Sequence, residues 1–256
     1  MPERQRQYAA RVDRRPPYPP DFQLILASQS PRRHSLLRDI GVPFTVVSSQ
    51  AEELTTGGDA RVLAEKNAAA KVRSASPPGA IPPGAFVLGT DTLVTIDGVV
   101  MGKPASAAKA REMLAALAGR THEVVSGVAL LRTPEAVCPL GTGASAGAEA
   151  ARPLGAGASA GAEAGLGAEA VLEALCVAST VTEVTFEPLA AAQIDAYVAS
   201  GEGKGKAGAY AVQGLAALFV SGVRGEYSNV VGLPLCLLNG MFRELGFDLL
   251  RREWLW

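Results

Sequence analysis

Residues 22–41, FQLILASQSPRRHSLLRDIG, change their periodicity within one turn of chain. An apolar run short enough for one buried strand gives way at Pro31 to a helically spaced segment that stops at Gly41. Proline suits a first helical turn and glycine the position just past the last. A strand that feeds straight into a helix selects architectures in which helices cover a sheet. The same switch recurs. PFTVVSS reads as a strand, and ARVLAEKNAAAKVRSA as a helix ended by Pro77 and Pro78. FVLGTDTLVTIDGVVMGKP reads as two strands joined by a turn at Asp97-Gly98, a strong hairpin signal. SAAKAREMLAALAG is an amphipathic helix with Ser106 placed to cap it and Gly119 to end it. HEVVSGVALLR and CVASTVTEVTFEPL read as strands, AAAQIDAYVASG as a helix, LFVSGVRGEYSNVVGLP as a hairpin-like pair and LCLLNGMFRELG as a closing helix. The expectation is an α/β protein with a mixed sheet.

Two segments fall outside this pattern. Residues 1–20 hold five Pro and five Arg with no apolar run, which is neither a secretory signal nor a transit peptide; residues 1–21 are expected to be a disordered arm. From Pro139 to Ala170 the unit PLGTGASAGAEAAR is followed by PLGAGASAGAEAGL, and Ala and Gly fill 20 of 32 positions. Ordering each residue costs about 1–2 kcal/mol, and a stretch with three leucines cannot offset that. It reads as a flexible insertion at about 139–170, at the tip of a hairpin, where added chain is best tolerated. Residues 22–256 then form one domain around it.

With 24 basic and 25 acidic side chains the formal net charge is −1, so the chain carries no overall basic field for nucleic acid or an anionic membrane. The longest apolar stretch, around Val230 to Leu238, is far short of the roughly 20 residues a membrane span needs. Cys138, Cys176 and Cys236 are an odd, scattered set without zinc-site spacing; buried free thiols in a reducing, cytoplasmic setting are expected.

Chemistry concentrates in a few places. In SQSPRR, Ser28 to Arg33, free backbone N–H groups and a helix N-terminus lie beside Arg32 and Arg33, an arrangement suited to anions. In GTDT, Asp91 interrupts an apolar strand, where a carboxylate is costly unless paired with a cation or metal. Lys103 in GKP is a point charge suited to phosphate. Glu52 and Glu53 are possible metal ligands. His122 is a possible base or a structural residue, and His34 is expected to face solvent. No phosphate-loop, nucleophile-elbow, zinc-protease or ordered dinucleotide-binding motif occurs, so kinase, serine-hydrolase and zinc-protease readings drop out.

Taken together, LILASQSPRRHSLL, VLGTDTLV, MGKP, AREMLAALAGRTHEVVSGVAL, TEVTF, KAGAYAVQG and YSNVVGLPL resemble the Maf family of nucleoside-triphosphate pyrophosphatases, from about residue 22 to residue 247. The resemblance implies a two-lobed α/β fold, related to the inosine-triphosphatase architecture, with a mixed sheet around a central cleft. It implies hydrolysis of a nucleoside triphosphate to the monophosphate and pyrophosphate with a divalent cation, Mg²⁺ or Mn²⁺, and it suggests a homodimer. It places the proton acceptor at Asp91, base-specificity positions at Arg32, Thr92 and Gln213, phosphate grips at Arg33 and Lys103, and an acidic metal-associated position at Glu53. Thr92 and Gln213 match the subgroup acting on dTTP and UTP. Two departures stand out: Asn67 occupies the lysine position of the family's L-A-x-x-K-A, and Gly205 precedes Lys206 where the family carries aspartate. Residues four apart share a helix face, so Lys71 rather than Lys66 is expected to stand in for the missing lysine. The other functional readings are a pyrophosphatase for other or modified nucleotides, and a catalytically weakened nucleotide-binding module that regulates cell division.

Overall fold

The computed structural model describes residues 15–56, 58–75, 81–134 and 174–256. The 139–170 insertion and the arm before Arg15 lie outside the described residues, as do Pro77 and Pro78. Six helices are described: α1 (Pro31–Asp39), α2 (Ala60–Arg73), α3 (Ala107–Leu117), α4 (Ala191–Ala199), α5 (Tyr227–Val231) and α6 (Leu235–Glu244). The strands are β1 (Leu24–Leu26), β2 (Thr45–Val46), β3 (Phe86–Ile96), β4 (Val99–Met101), β5 (Thr121–Arg132), β6 (Ala174–Phe186), β7 (Val220–Arg224), β8 (Phe247–Asp248) and β9 (Glu253–Trp254).

Seven strands form one mixed sheet in the order β2-β1-β3-β5-β6-β7, with β4 paired to β3 and the β8–β9 pair separate. β1 runs parallel to β2 and β3, whereas β3, β5, β6 and β7 are antiparallel neighbours. Asp97 and Gly98 both take positive φ, at 51° and 76°, as a two-residue primed turn requires, and they close the β3–β4 hairpin. The strands on either side of the insertion pair from Thr121↔Thr185 to Arg132↔Ala174. Ser106 caps α3 by accepting from the Lys109 N–H at 3.1 Å, and Gly119 follows the helix with φ 68°.

Two cores flank the middle of β3. One gathers Phe22, Leu26, Phe86, Leu88, Phe242 and Phe247; the other gathers Val94, Leu114, Leu117, Phe186, Tyr197 and Phe219. Each fully buried side chain of this size contributes about 2–3 kcal/mol. Asp91 falls between the two on the same strand, so the two-lobed division is written along β3. Side chains alternate faces along a strand, and the odd-numbered residues Val87, Gly89, Asp91 and Leu93 face α2. That helix lies very close. A Cβ added at Gly89 would meet the Ala68 carbonyl oxygen at 2.4 Å, and one at Gly127, opposite Asp91, would meet the Ala64 carbonyl carbon and oxygen at 2.3 Å.

Two sequence expectations need correction. The disordered arm does not extend to residue 21: Tyr18 packs 4.7 Å from Phe22 and beneath the Arg252 guanidinium, and Trp254 Nε1 donates to Asp21 at 2.9 Å. An aromatic ring and an acceptor are enough to fasten this stretch. YSNVV is helix α5 rather than the second strand of a pair. Its Asn229 is buried and its Nδ2 donates to Val124 O at 2.9 Å and Thr182 Oγ1 at 3.0 Å, partners on β5 and β6 that the helical turn brings within reach.

Candidate active site

Between the lobes a cleft of about 580 Å³ opens, continuous with a deeper recess of about 70 Å³ beside Asp91, Thr92 and Tyr210. Six cationic side chains, Arg32, Arg33, Lys71, Lys103, Lys204 and Lys206, face only two carboxylates there, Glu53 and Asp91. In a chain of net charge −1, that is a concentrated local field for an anion.

The floor is a closed set of partners. Lys71 Nζ donates to Asp91 Oδ1 at 2.7 Å, Glu53 Oε1 at 2.9 Å and Thr90 O at 3.2 Å. Asn67, buried on the same face of α2 one turn earlier, donates to Asp91 Oδ2 at 2.7 Å. The Asn67 amide also pairs with both backbone groups of Leu54, accepting from its N–H at 2.8 Å and donating to its oxygen at 2.9 Å. Asn67 therefore ties the segment bearing Glu53 to the strand bearing Asp91. Lys103 Nζ pairs with Glu53 Oε2. Burial pushes the Glu53 carboxyl up, but the hydrogen bonds from Lys103 and Lys71 outweigh that and hold it down at about 2. Lys66 is exposed, so the helix phase delivers Lys71 and not Lys66 to the carboxylates. Asn67 was expected only as a lost charge; its amide role carries no motif, and the sequence signal for it is its i,i+4 spacing to Lys71. Glu52 is exposed and lies off the cleft lining.

The wall is built differently. Arg32, half-buried, makes no hydrogen bond or ion pair among the described residues, while its neighbour Arg33 is fully committed. Arg33 Nε donates to Gly232 O at 2.7 Å, Nη1 to Ser28 Oγ at 2.9 Å and Nη2 to Thr92 Oγ1 at 3.3 Å. Arg33 thus fastens α1 to the sheet and to Gly232, and Arg32 is the one of the pair without such a tie. Burial lowers the Arg32 and Lys206 pKa values, a sign of cations held away from bulk water. Lys206 Nζ donates to Glu202 O, and Gly205 has φ 69°, left-handed backbone that favours glycine. Glu202 was missed by sequence reasoning. Its carboxylate accepts from Tyr197 Oη at 2.9 Å and from the Leu215 and Ala216 N–H groups at 2.8 and 3.3 Å, fixing the turn that carries Gln213. Gln213 itself is exposed and is absent from the cleft lining; the structure does not bring it beside Arg32 and Thr92. Thr92 Oγ1 lies 2.9 Å from Ser126 Oγ. His122 is buried off the cleft against Tyr210 Oη at 2.8 Å, and His34 bonds Ser28 O at 2.8 Å rather than facing solvent alone.

The model of Maf-like proteins matches residues 23–146 and 164–245. The chain belongs to the Maf family. Among curated relatives, a dTTP/UTP pyrophosphatase of Symbiobacterium thermophilum is 39% identical over 230 residues, covering 89% of this chain and 96% of that protein. The protein of the same name from Moorella thermoacetica is 40% identical over 228 residues, covering 88% and 96%. A HAM1 protein from Coxiella burnetii aligns over 46% of this chain and 68% of its own at 25% identity, with a TM-score of 0.31, too weak an overlap to bear on the architecture. For a Maf protein the family suggests divalent-cation dependence in general. Among the described residues no group of three or more His, Cys, Asp or Glu side chains could hold a metal ion. The donor set fits one in part, because Asp91, Glu53 and the Thr90 carbonyl already converge their oxygens on a single positive charge, the Lys71 ammonium. Hard divalent cations take such oxygen ligands and commonly complete their shell with substrate phosphates. No described helix is long and apolar enough to cross a membrane.

Proposed function

We propose that this Maf protein hydrolyses nucleoside triphosphates, dTTP and UTP foremost, to the monophosphate and pyrophosphate. The observation that carries this reading is the convergence of six cations on two carboxylates in one cleft, joined with relatives named for that activity. Arg32, Lys103 and Lys206 take the phosphate oxygens, with Lys204 at the mouth, and Arg33 keeps Arg32 in place by anchoring α1. Each Asp91 oxygen has one protein donor, which leaves lone pairs for a water. Asp91 orients that water toward the α-phosphorus and accepts its proton; the bond from the α-phosphorus to the bridging oxygen breaks, and pyrophosphate leaves against the cationic wall. A divalent cation, Mg²⁺ or Mn²⁺, held by Glu53, Asp91 and the phosphates would supply charge neutralisation at the reacting phosphate.

Base choice is assigned to Arg32, Thr92 and Gln213. An amide donates and accepts at once, matching the N3–H and O4 edge that uracil and thymine share and cytosine reverses. Gln213 lies outside the cleft lining, so its part in base choice requires the turn that Glu202 holds to move toward the bound nucleotide. Incubating the protein with Mg²⁺ and a panel of nucleoside triphosphates, then separating products, tests the whole reading. Pyrophosphate from UTP and dTTP is expected. Release of inorganic phosphate, or pyrophosphate from purine nucleotides only, overturns it. The resemblance also implies a homodimer, which light scattering reads as twice 26.4 kDa.

A further inference from the structure

Lys71 is placed unlike the other cations of the cleft. Its side chain is 9% exposed, and its three ammonium protons point at three oxygens: Asp91 Oδ1, Glu53 Oε1 and Thr90 O. Lys103, by contrast, touches Glu53 from the solvent side with 53% of its side chain exposed. An ammonium has three donors and no acceptor, so Lys71 is saturated by an oxygen-only seat that carries two negative charges. The seat does not depend on the ammonium for its shape. Asn67 independently holds Asp91 Oδ2 and both backbone groups of Leu54, next to Glu53. The flexible four-carbon stem of Lys71 also lines the cleft, where incoming phosphates would offer its ammonium a second set of oxygens.

We propose that Lys71 is a built-in stand-in for the divalent cation, occupying the seat between Asp91 and Glu53 in the nucleotide-free protein and moving to the phosphates when substrate arrives. The inference rests on the reading of the cleft as a triphosphate site. It makes a claim about the free protein alone: the wild-type chain binds Mn²⁺ weakly because its own ammonium is in the way. Neutralising Lys71 removes one positive charge adjacent to the bound ion and bares two carboxylates, so affinity rises by about tenfold or more.

The test is a Mn²⁺ titration of the full chain without nucleotide, read by the electron paramagnetic resonance signal of free Mn²⁺. Lys71→Met is expected to bind at least about tenfold more tightly than wild type, Lys71→Arg no more tightly, and Lys103→Met only slightly more. Adding Glu53→Gln to Lys71→Met should abolish the gain. Because a buried Asp91 beside Glu53 without a cation endangers folding, Lys71→Gln, which keeps an amide donor, serves alongside Met, with circular dichroism establishing that each is folded. Equal Mn²⁺ affinity in wild type and in a folded neutral variant overturns the proposal. No nucleotide is present, so this result is independent of the turnover assay: absence of pyrophosphatase activity in the wild-type chain, with a gain in Mn²⁺ affinity in the Lys71 variants, would sink the triphosphate reading and leave the seat.

Discussion

The floor and the wall of the cleft handle charge in opposite ways. On the floor, all four carboxylate oxygens of Asp91 and Glu53 have donors, from Lys71, Asn67 and Lys103. On the wall, Arg32 has no acceptor among the described residues and Lys206 has only a backbone oxygen. The two carboxylates of a balanced floor are positioned before substrate arrives, which is what electrostatic catalysis requires. An unbalanced wall provides the attraction that brings a polyanion in. Adjacent arginines differ in the same way: Arg33 is tied into the architecture, and under the proposed function Arg32 meets the ligand.

The largest expected effect lies on the floor. Asp91→Asn keeps the shape and removes the charge and the proton acceptor, so turnover should fall by about 100-fold to 10,000-fold while the circular dichroism spectrum is retained; a near wild-type rate at saturating Mg²⁺ would remove Asp91 from the chemistry. The wall gives a paired test. Arg32→Ala should raise KM by roughly 10-fold to 150-fold, the worth of one charge-assisted hydrogen bond, with an unchanged melting temperature. Arg33→Ala loses two buried hydrogen bonds and a part-buried one and should cost about 3 kcal/mol of stability, lowering Tm by roughly 6–12 °C. If the two variants swap these signatures, the division between them is wrong.

A smaller effect concerns pH. Burial lowers the His122 pKa to about 4, so the folded protein holds it neutral where the unfolded chain, near 6.5, takes up a proton. Stability is therefore unpenalised above about pH 6.5, falls as the pH drops, and levels off below about pH 4, by up to about 3 kcal/mol. His122 therefore stays neutral against Tyr210 at the recess throughout this window, just as Glu53, at about 2, stays ionised on the floor, and the loss comes from protonation of the unfolded chain. His122→Phe should flatten the stability profile measured by urea unfolding between pH 7 and pH 4; an unchanged slope would assign the loss to other groups. Smallest of all, deleting 139–170 and joining β5 to β6 by a short turn should shift Tm by no more than a few degrees, since loop closure varies slowly with length.

Much of this was legible in the sequence, and the failures share a cause. The capped helix at Ser106, the Asp97-Gly98 turn and the placement of Lys71 over Asn67 follow from local rules of spacing and backbone preference. What local rules cannot report is whether a side chain has already been claimed. Arg32 and Arg33 are identical to a motif, and what distinguishes them is a set of partners that includes Gly232, 199 residues away in sequence from Arg33, and Thr92 on β3. Valines suggested a strand at YSNVV, where the partners of Asn229 on β5 and β6 dictated a helix. Glu202 belongs to no motif, and its role depends on the Leu215 and Ala216 amides much later in the chain.

The close approach of α2 to the sheet at Gly89 and Gly127 has a consequence for how the protein tolerates change. Asn67 and Lys71 reach Asp91 because their helix rests on two missing methyl groups, and neither glycine touches the cleft or carries any reactive atom. One carbon added at either position would lift the whole helix, carrying an amide and an ammonium away from the carboxylate together. The most vulnerable spots in this protein are thus chemically silent ones, where a drifting gene or a redesign would dull the enzyme by adding bulk while leaving every polar residue in place.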